Sequence, residues 1–264
     1  MHYHRKGRWG PSCVKIKSVA PNLLSLYCSN FTGSTFCGCF MFNSLILSDL
    51  KKKQCGLLRD SSSTRPFIWI VEENGVRAVV KDFSTNRFFF RNTVGRFLIW
   101  RESKAYRRLK NLRGVPTLYR VINGLALVVE EIPGRNLENL EKEIRLPDTF
   151  FDALKDLVDN IHRRGIAHCD LKRAPNTILG HDGHPYIIDW GASISKREFR
   201  FYPLNLIYRR FLLDDYMAIT KLKLRHTPET VTQKERESYN HRSRAERMIR
   251  AIRDSLRDLL KKIV

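Results

Sequence analysis

Acidic side chains are scarce in this chain of 264 residues. It contains 27 Asp and Glu residues against 48 Lys and Arg residues, so its formal net charge is +21 and its pI is about 10. This balance favours anionic partners, namely nucleic acid, a membrane surface or a phosphorylated substrate. The apolar content of 42% is typical of a globular protein, and the length suits one two-lobed domain or two small ones.

Cysteine pairs with the C-x-x-C spacing are also missing. None of the six cysteines forms a C-x-x-C pair, which leaves reduced thiols in a cytoplasmic protein as the simplest interpretation. Cys37 and Cys39 could bind a metal together with Cys28 and His2 or His4, but this spacing fits no common zinc site.

The first 54 residues contain no long uninterrupted apolar run. No residue between Lys17 and Asp49 is charged, yet Ser, Asn, Thr and Gly recur too often for a membrane span to be predicted. Basic residues on both sides of this stretch keep a signal anchor as an alternative. We expect residues 1–54 to form a poorly ordered extension, with Met41 as an alternative start of the chain.

Beyond residue 54 the sequence predicts two β-hairpins. Asn74-Gly75 and Asn123-Gly124 are each flanked by apolar runs, and these residue types favour the tight turn that joins two antiparallel strands. The predicted strands cover residues 66–71, 76–83, 115–122 and 125–130. They belong to a predicted five-stranded antiparallel sheet.

A helix predicted over residues 95–112 turns a carboxylate toward the core. The apolar residues of its predicted inner face are Leu98, Ala105, Leu109 and Leu112. Glu102 lies on that same face at helical spacing. A carboxylate in an apolar environment needs a partner, and Lys81 at the end of the second predicted strand is the available cation. We therefore predict an ion pair between Lys81 and Glu102.

The segment of residues 165–191 concentrates polar groups around two short apolar strands. Asp170 and Asp189 each follow an apolar run, and Lys172 and Asn176 lie between them. The strands are predicted at residues 177–179 and 186–188, after a helix predicted over residues 148–162. Two acids, an amide and an ammonium group suit a phosphate and its metal ions better than they suit a core. A hairpin with surface acids is the alternative interpretation.

These residue types match the requirements of phosphoryl transfer. One Asp accepts the proton of the attacking hydroxyl, an Asp and an Asn hold Mg²⁺, and a Lys neutralises the transferring oxygens. The segment resembles the catalytic and metal-binding loops of the protein-kinase-like superfamily. His168-Cys169-Asp170 stands in place of H-R-D, and Asp189-Trp190-Gly191 stands in place of D-F-G. The resemblance covers roughly residues 55–224.

The resemblance implies a transfer of the γ-phosphate of ATP to a hydroxyl group, with Mg²⁺ as the metal. The implied catalytic residues are Asp170, as the base, and Lys172. The implied Mg²⁺ ligands are Asn176 and Asp189. The implied nucleotide-binding residues are Lys81, Glu102, Asn176 and Asp189, together with Glu130, Glu131 and Ile132 at a hinge whose backbone would meet the adenine.

Three features depart from the superfamily pattern. Five residues separate Asp170 from Asn176 instead of four, so the loop must bulge if Asn176 is to reach a metal. Cys169 replaces the arginine that would pair with a phosphorylated activation loop, which favours a kinase that is not switched in this way. Ser61 to Ser63 occupy the place of the glycine-rich loop. Small hydroxyl residues and backbone N–H groups can still cover phosphates there.

The chain after Gly191 is short and basic, and it contains no A-P-E motif. It has 18 basic and 9 acidic residues, a net charge of +9, with aromatic residues near its start. Asp214 and Asp215 are predicted to open a helix, where one of them either caps the helix or braces the catalytic loop. A capping box at residues 243–246 starts a last helix, which packs on its own domain or lies on an anionic bilayer.

The expected fold is α+β with two lobes of the protein-kinase-like kind. Residues 55–132 would form a small lobe of five antiparallel strands and one helix, and residues 133–264 a reduced, mainly helical large lobe that includes the basic last helix. Two branches of the superfamily fit a reduced large lobe. They are the bacterial lipopolysaccharide-core kinases, which phosphorylate lipid-linked sugars, and the RIO-type Ser/Thr kinases.

The acceptor of the phosphate is the open question at this point. A lipid-linked sugar is preferred, because a basic and aromatic tail suits a substrate at a membrane surface. A protein acceptor is the alternative, and a pseudokinase that binds without catalysis is the third hypothesis. The expected location is cytoplasmic, peripheral on the inner face of the cytoplasmic membrane. No motif for specific recognition of nucleic acid is present.

Overall fold

The chain has an α+β fold in the computed structural model, which describes residues 42, 44–141 and 143–240. Its strands are β1 (Gln54–Arg59), β2 (Phe67–Glu73), β3 (Val76–Asp82), β4 (Leu118–Ile122), β5 (Ala126–Glu130), β6 (Gly134–Asn136), β7 (Ile166–Ala167), β8 (Thr177–Gly180), β9 (Pro185–Ile187) and β10 (Ile194–Ser195). Its α-helices are α1 (Leu47–Lys52), α2 (Phe88–Phe90), α3 (Arg96–Arg108), α4 (Leu137–Leu140), α5 (Asp148–Arg163), α6 (Leu204–His226) and α7 (Gln233–Asn240).

Strands β1 to β5 form one antiparallel sheet in the order β1-β2-β3-β5-β4. The two predicted hairpins are confirmed as β2–β3 and β4–β5. Both turns have positive φ at the two central residues, 49° and 79° at Asn74-Gly75 and 51° and 66° at Asn123-Gly124. This turn suits the right-handed twist of the strands, and Asn and Gly adopt it at little cost. Strand β4 begins at Leu118, three residues later than predicted.

One face of this sheet is covered by residues that precede β1. Phe42 and Leu50 are fully buried against it, and the Phe42 ring stacks on Tyr119 with 5.4 Å between the ring centroids. The Arg120 guanidinium donates to the carbonyl oxygens of Phe42 and Leu45 at 3.3 and 2.7 Å. The expected extension of residues 1–54 therefore ends too late, because residues 44–54 already form α1 and the start of β1.

The other face of the sheet packs on α3 and continues into the helical part of the chain. One buried cluster joins Ile99 of α3 and Leu127 of β5 to Leu154 of α5 and Leu222 of α6. Helix α3 is preceded without interruption by α2 and a π-helix at Arg91–Gly95. The helical stretch thus starts at Phe88, earlier than the predicted residue 95, and α3 ends at Arg108 rather than at residue 112.

The two long helices of the second half differ in how well they were predicted. Helix α5 begins at Asp148 as predicted and buries Phe151, Leu154 and Ile161. Helix α6 begins at Leu204, ten residues before Asp214. Asp214 and Asp215 consequently lie in the middle of α6, and the interpretation that they cap its start is wrong.

Two small sheets complete the described fold. Strands β8 and β9 form the predicted hairpin and pair with β6, and β7 pairs with β10. No helix among the described residues is long and apolar enough to cross a membrane. The cysteine-rich stretch, most of the alternative signal anchor and the predicted last helix lie outside the described residues.

Leu50→Ala tests whether the residues before β1 belong to the fold. Leu50 is fully buried, so we expect the free energy of unfolding to fall by about 2 to 5 kcal/mol, the range for removing a buried leucine side chain. Leu58→Ala on β1 is the matched control, because Leu58 is 57% exposed and its loss should change stability by about 0.5 kcal/mol or less. Urea unfolding measures both. Equal effects of the two variants would contradict the packing of α1 on the sheet.

Candidate functional site

Lys81 lies where the five-stranded sheet meets α3 and the loop after β9. It alternates along β3 with Val80 and Asp82, whose side chains are buried on the other face. Its Nζ atom is 2.7 Å from Glu102 Oε2 on α3 and 2.9 Å from Asp189 Oδ1. The predicted Lys81–Glu102 ion pair is confirmed, and the same ammonium group also reaches Asp189.

The burial of this cluster shifts all three pKa values. Glu102 is 2% exposed, and burial raises the pKa of its carboxyl group although Lys81 opposes the shift. Burial alone would lower the pKa of Lys81, but the carboxylates of Glu102 and Asp189 outweigh it and raise that pKa. The Lys81 ammonium group in turn lowers the pKa of Asp189 to about 2. Lys81 and Asp189 are therefore both charged at neutral pH.

Asp189 is brought to this point by an unusual backbone conformation. Its φ and ψ are 64° and 70°, in the left-handed region that non-glycine residues seldom adopt. The next residue, Trp190, is fully buried and packs edge-on against His168 and Tyr106. Tyr106 is a residue of α3. The buried indole thus anchors the chain next to Asp189 and ties this loop to α3.

The loop of residues 168–172 is held from behind by Asp215 of α6. The Asp215 carboxylate is buried and accepts the backbone N–H groups of His168 and Cys169, at 2.8 and 3.0 Å. Its Oδ2 atom is also 3.0 Å from His162 Nε2 on α5. The predicted brace is confirmed for Asp215. Cys169 has a φ of 66°, so these hydrogen bonds hold a residue in the left-handed region.

His168 connects Asp170 to the strand that leads to Asp189. Its Nε2 atom is 3.0 Å from the Ile188 carbonyl oxygen, and its Nδ1 atom is 3.3 Å from the Asp170 backbone N–H group. A carbonyl only accepts and an N–H only donates, so Nε2 carries the proton and Nδ1 accepts. His168 therefore fixes the position of two loops.

Asp170 and Asn176 meet through the backbone of their own loop. The Asn176 side-chain amide donates to the Asp170 carbonyl oxygen at 3.0 Å, after a 3₁₀ turn at Ala174–Asn176. This turn takes up the five-residue spacing between them. The Ile188 N–H donates to the Asn176 carbonyl oxygen at 3.0 Å, which links Asn176 to the strand before Asp189. The Asp170 carboxylate is partly exposed, 3.5 Å from the Arg173 guanidinium.

Lys172 does not share the close contacts of the other predicted residues. Its side chain is exposed, and its carbonyl oxygen accepts from Lys221 Nζ of α6 at 3.4 Å. Arg173, which the sequence interpretation did not select, is the residue that forms an ion pair with Asp170. Lys172 and Arg173 are adjacent in sequence and both are cations, so residue type alone could not decide which of them turns toward Asp170.

The predicted hinge begins at Glu130, the last residue of β5. The Glu130 carboxylate accepts the Thr117 N–H at 3.0 Å, and the Glu131 carboxylate forms an ion pair with Arg77. Both carboxylates thus have partners within the part of the chain that forms the five-stranded sheet. Ile132 is half-buried between β5 and β6. Backbone groups, and not the acidic side chains, are what this segment could offer to a ligand.

The serine-rich stretch of residues 60–66 forms the connection between β1 and β2. The Asn86 side-chain amide is buried and donates to the carbonyl oxygens of Ser62 and Arg65, at 2.6 and 2.9 Å. Asn86 is therefore the residue that sets the shape of this loop. No sequence signal identified it, because its partners lie 21 to 24 residues earlier in the chain.

The described residues contain no group of three or more His, Cys, Asp or Glu side chains arranged for a metal ion. Mg²⁺ is often held by one or two carboxylates together with phosphate oxygens. Asp189, with its low pKa, and Asn176, with its amide oxygen, are suitable for that kind of site. They fit a metal that arrives with a phosphorylated ligand.

Lys81→Met should destabilise the fold, because buried Glu102 would lose its cation. We expect a loss of about 3 to 5 kcal/mol in the free energy of unfolding near neutral pH. Without Lys81 the pKa of Glu102 rises further, so the folded state binds a proton that the unfolded state releases. The loss should therefore shrink as pH falls from about 8 to about 5. Urea unfolding across this range measures both effects.

The double variant Lys81→Met/Glu102→Gln is the matched control for this experiment. Gln keeps nearly the shape of Glu without its charge, so no unpaired carboxylate stays buried. The double variant should be more stable than Lys81→Met near neutral pH and should lose the pH dependence. A loss in Lys81→Met that is the same at every pH would argue against an ionised, buried Glu102.

Asp215→Asn should also be destabilising, because an amide replaces a carboxylate that accepts from three groups, two of them backbone N–H groups. We expect a loss of about 3 kcal/mol, since hydrogen bonds to charged groups are among the stronger ones. Asp214→Asn is the neighbouring control. Asp214 pairs with Arg210 at 2.9 Å near the surface, so its loss should cost about 1 kcal/mol or less. Thermal unfolding of both variants gives the comparison, and a larger effect at Asp214 would show that the brace was assigned to the wrong acid.

The comparisons with known proteins do not assign this chain to a family. A scan against protein-family models and a search of the curated proteins both find no match.

Proposed function

We propose that this protein is a phosphotransferase of the protein-kinase-like kind, which moves the γ-phosphate of ATP to a hydroxyl group with the help of Mg²⁺. The observation that carries the proposal is that Lys81 Nζ lies within 3 Å of a carboxylate oxygen of Glu102 and of a carboxylate oxygen of Asp189. They come from a strand, a helix and a loop that are far apart in sequence. A lysine on the third strand of a sheet, paired with a helix glutamate and facing a loop aspartate, is the arrangement that phosphoryl transfer of this kind requires.

The order of the elements supports the same proposal. The five-stranded sheet with α3 corresponds to a small lobe, and the β5–β6 connection corresponds to the hinge. The part that follows, with α5 and α6, corresponds to a reduced large lobe. Residues 168–176 would be the catalytic loop, and Asp215 is a positioning residue behind it. Asp215 acts through the backbone of His168 and Cys169 and does not reach the reacting atoms.

The chain's own residues have distinct tasks in this mechanism. Lys81 would exchange its contact with Asp189 for the α- and β-phosphates and keep its contact with Glu102. Asp189 and Asn176 would hold Mg²⁺, which supplies positive charge to the phosphate oxygens when bound. Asp170 would accept the proton of the acceptor hydroxyl, and the Arg173 guanidinium would help to hold its carboxylate in position. The backbone of Ile132 would meet the adenine at the hinge.

The preferred acceptor is a lipid-linked sugar such as one of the lipopolysaccharide core. This preference rests on exposed aromatic residues next to basic ones, Phe201 and Tyr202 among them, which suit a substrate at a membrane surface. The protein would then work on the cytoplasmic side, peripheral on the inner face of the cytoplasmic membrane. A RIO-type protein acceptor is the alternative. A pseudokinase is the third candidate, and the serine-rich loop at residues 60–66 is the observation that favours it.

Asp170→Asn tests the chemistry. We expect phosphate transfer to fall by about a hundredfold or more, the loss typical of a general base, while ATP still binds. The measurements are ATP turnover with lipopolysaccharide precursors and with a generic protein substrate, together with nucleotide binding by calorimetry. Asp152→Asn is the matched control, because Asp152 is exposed on α5. Chelation of Mg²⁺ should abolish transfer in all three proteins.

The same experiment separates the candidate functions. Transfer to the sugar precursor and not to the protein substrate would support the preferred acceptor, and the reverse would support the RIO-type alternative. Nucleotide binding without transfer to either would favour the pseudokinase. Near-normal turnover by Asp170→Asn would remove Asp170 from the mechanism.

A further inference from the structure

The helical stretch of residues 88–104 exposes an aromatic surface on the side that faces away from the sheet. Phe88, Phe89, Phe97 and Trp100 have between 49% and 82% of their surface exposed. Phe97 and Trp100 lie side by side with 5.9 Å between their ring centroids, and Phe88 and Phe89 are equally close. Monomeric proteins seldom expose four large aromatic side chains on one helical stretch, and such apolar patches usually mark an interaction site.

The same stretch is strongly basic. Between Arg87 and Lys110 the chain has eight Lys and Arg residues and one acid, Glu102, which is buried on the opposite side of α3. Glu198, which pairs with Lys104 at 2.6 Å, is the acid that approaches this surface from the loop after β10. The aromatic surface is therefore surrounded by an excess of positive charge.

We propose that this face, residues 87–104, binds an anionic membrane surface. Phenylalanine and tryptophan side chains would enter the boundary between headgroups and acyl chains, and the arginine and lysine side chains would meet the anionic headgroups. The long basic side chains lie along the rings as this requires. Arg91 lies over Phe88 at 5.4 Å, Arg101 over Phe97 at 5.6 Å and Lys104 over Trp100 at 4.9 Å.

The geometry disfavours the two other partners of suitable chemistry. Nucleic acid binding without sequence preference depends on bases that stack on aromatic faces, and the cations over Phe88, Phe97 and Trp100 already cover a face of each ring. A second copy of this chain would bring the same basic surface against itself, and like charges in an interface repel. A bilayer with anionic lipids offers an apolar environment to the rings and anionic headgroups to the basic side chains.

This surface differs from the region that the sequence indicated for membrane contact. The basic tail after Gly191 was selected because of its net charge of +9 and the aromatic residues near its start, but one of its arginines, Arg210, is paired with Asp214 at 2.9 Å. Glu102 lies on the side of α3 opposite to the proposed face. Membrane contact would therefore leave the Lys81–Glu102 pair untouched. The inference does not depend on the proposed kinase activity.

Flotation of the full chain with vesicles tests the inference, without nucleotide or acceptor present. The vesicles contain either phosphatidylcholine alone or equal parts of phosphatidylcholine and phosphatidylglycerol. We expect binding to the anionic vesicles that weakens with salt. The variants Phe89→Ser/Trp100→Ser and Arg87→Gln/Arg96→Gln should each lower the partition coefficient by about tenfold or more.

Two matched controls remove exposed apolar side chains and exposed charges outside the proposed face. Leu57→Ser/Leu58→Ser removes an apolar pair of β1 that is 50% and 57% exposed, and Lys155→Gln/Arg163→Gln removes two exposed charges from α5. Both should bind vesicles as the parent chain does, and all variants should keep its melting temperature.

Four results would overturn the inference. They are no binding of the parent chain to anionic vesicles, equal binding to neutral vesicles, a loss of binding confined to the Leu57/Leu58 variant, and variants of the face that lose binding to duplex DNA or self-association but keep binding to vesicles. Each of these can occur whether or not the chain transfers phosphate, so failure here and failure of the proposed function are distinguishable.

Discussion

The shared use of Lys81 by two carboxylates is the interaction on which the site depends. Glu102 is nearly free of solvent, and an ionised carboxylate is not stable there without a cation. The need for that cation fixes the rotation of α3 against the sheet. Because the same ammonium group reaches Asp189, it also fixes where the loop after β9 ends. Strand β3, helix α3 and the loop after β9 are far apart in sequence, and the charge of Lys81 holds them together.

Asp215 holds backbone groups in place, as Lys81 holds the two carboxylate side chains in place. The loop after β7 has polar N–H groups at a point where α5, α6 and Trp190 exclude water, and each such group needs an acceptor. A carboxylate from the middle of α6 satisfies two of them at once. It thereby stabilises the left-handed conformation of Cys169, which turns Asp170 outward. Helix α6 therefore matters to the site although it contributes no group that would touch a ligand.

Features with a local chemical cause could be predicted from the sequence. The hairpins followed from Asn-Gly pairs between apolar runs, α5 from its helical period, and the Lys81–Glu102 pair from a carboxylate on an apolar face. The start of α6 was missed because Leu204, Leu206 and Leu213 are exposed apolar residues that obscure a one-sided pattern. The burial of Phe42 and the role of Asn86 depend on partners distant in sequence, which no local pattern reports.

Cys169 gives the loop a built-in probe of its own opening. Burial, with the nearby Asp215 carboxylate, raises the pKa of its thiol, and a protonated, half-buried thiol reacts slowly with alkylating reagents. Cys55 on β1 is exposed in the same molecule and is open to reagent at all times. Opening of the loop away from Asp215 should therefore raise the rate at which Cys169 is alkylated. Peptide mapping separates this label from labels on the other five cysteines, so thiol chemistry can follow the opening of the loop in the unaltered chain.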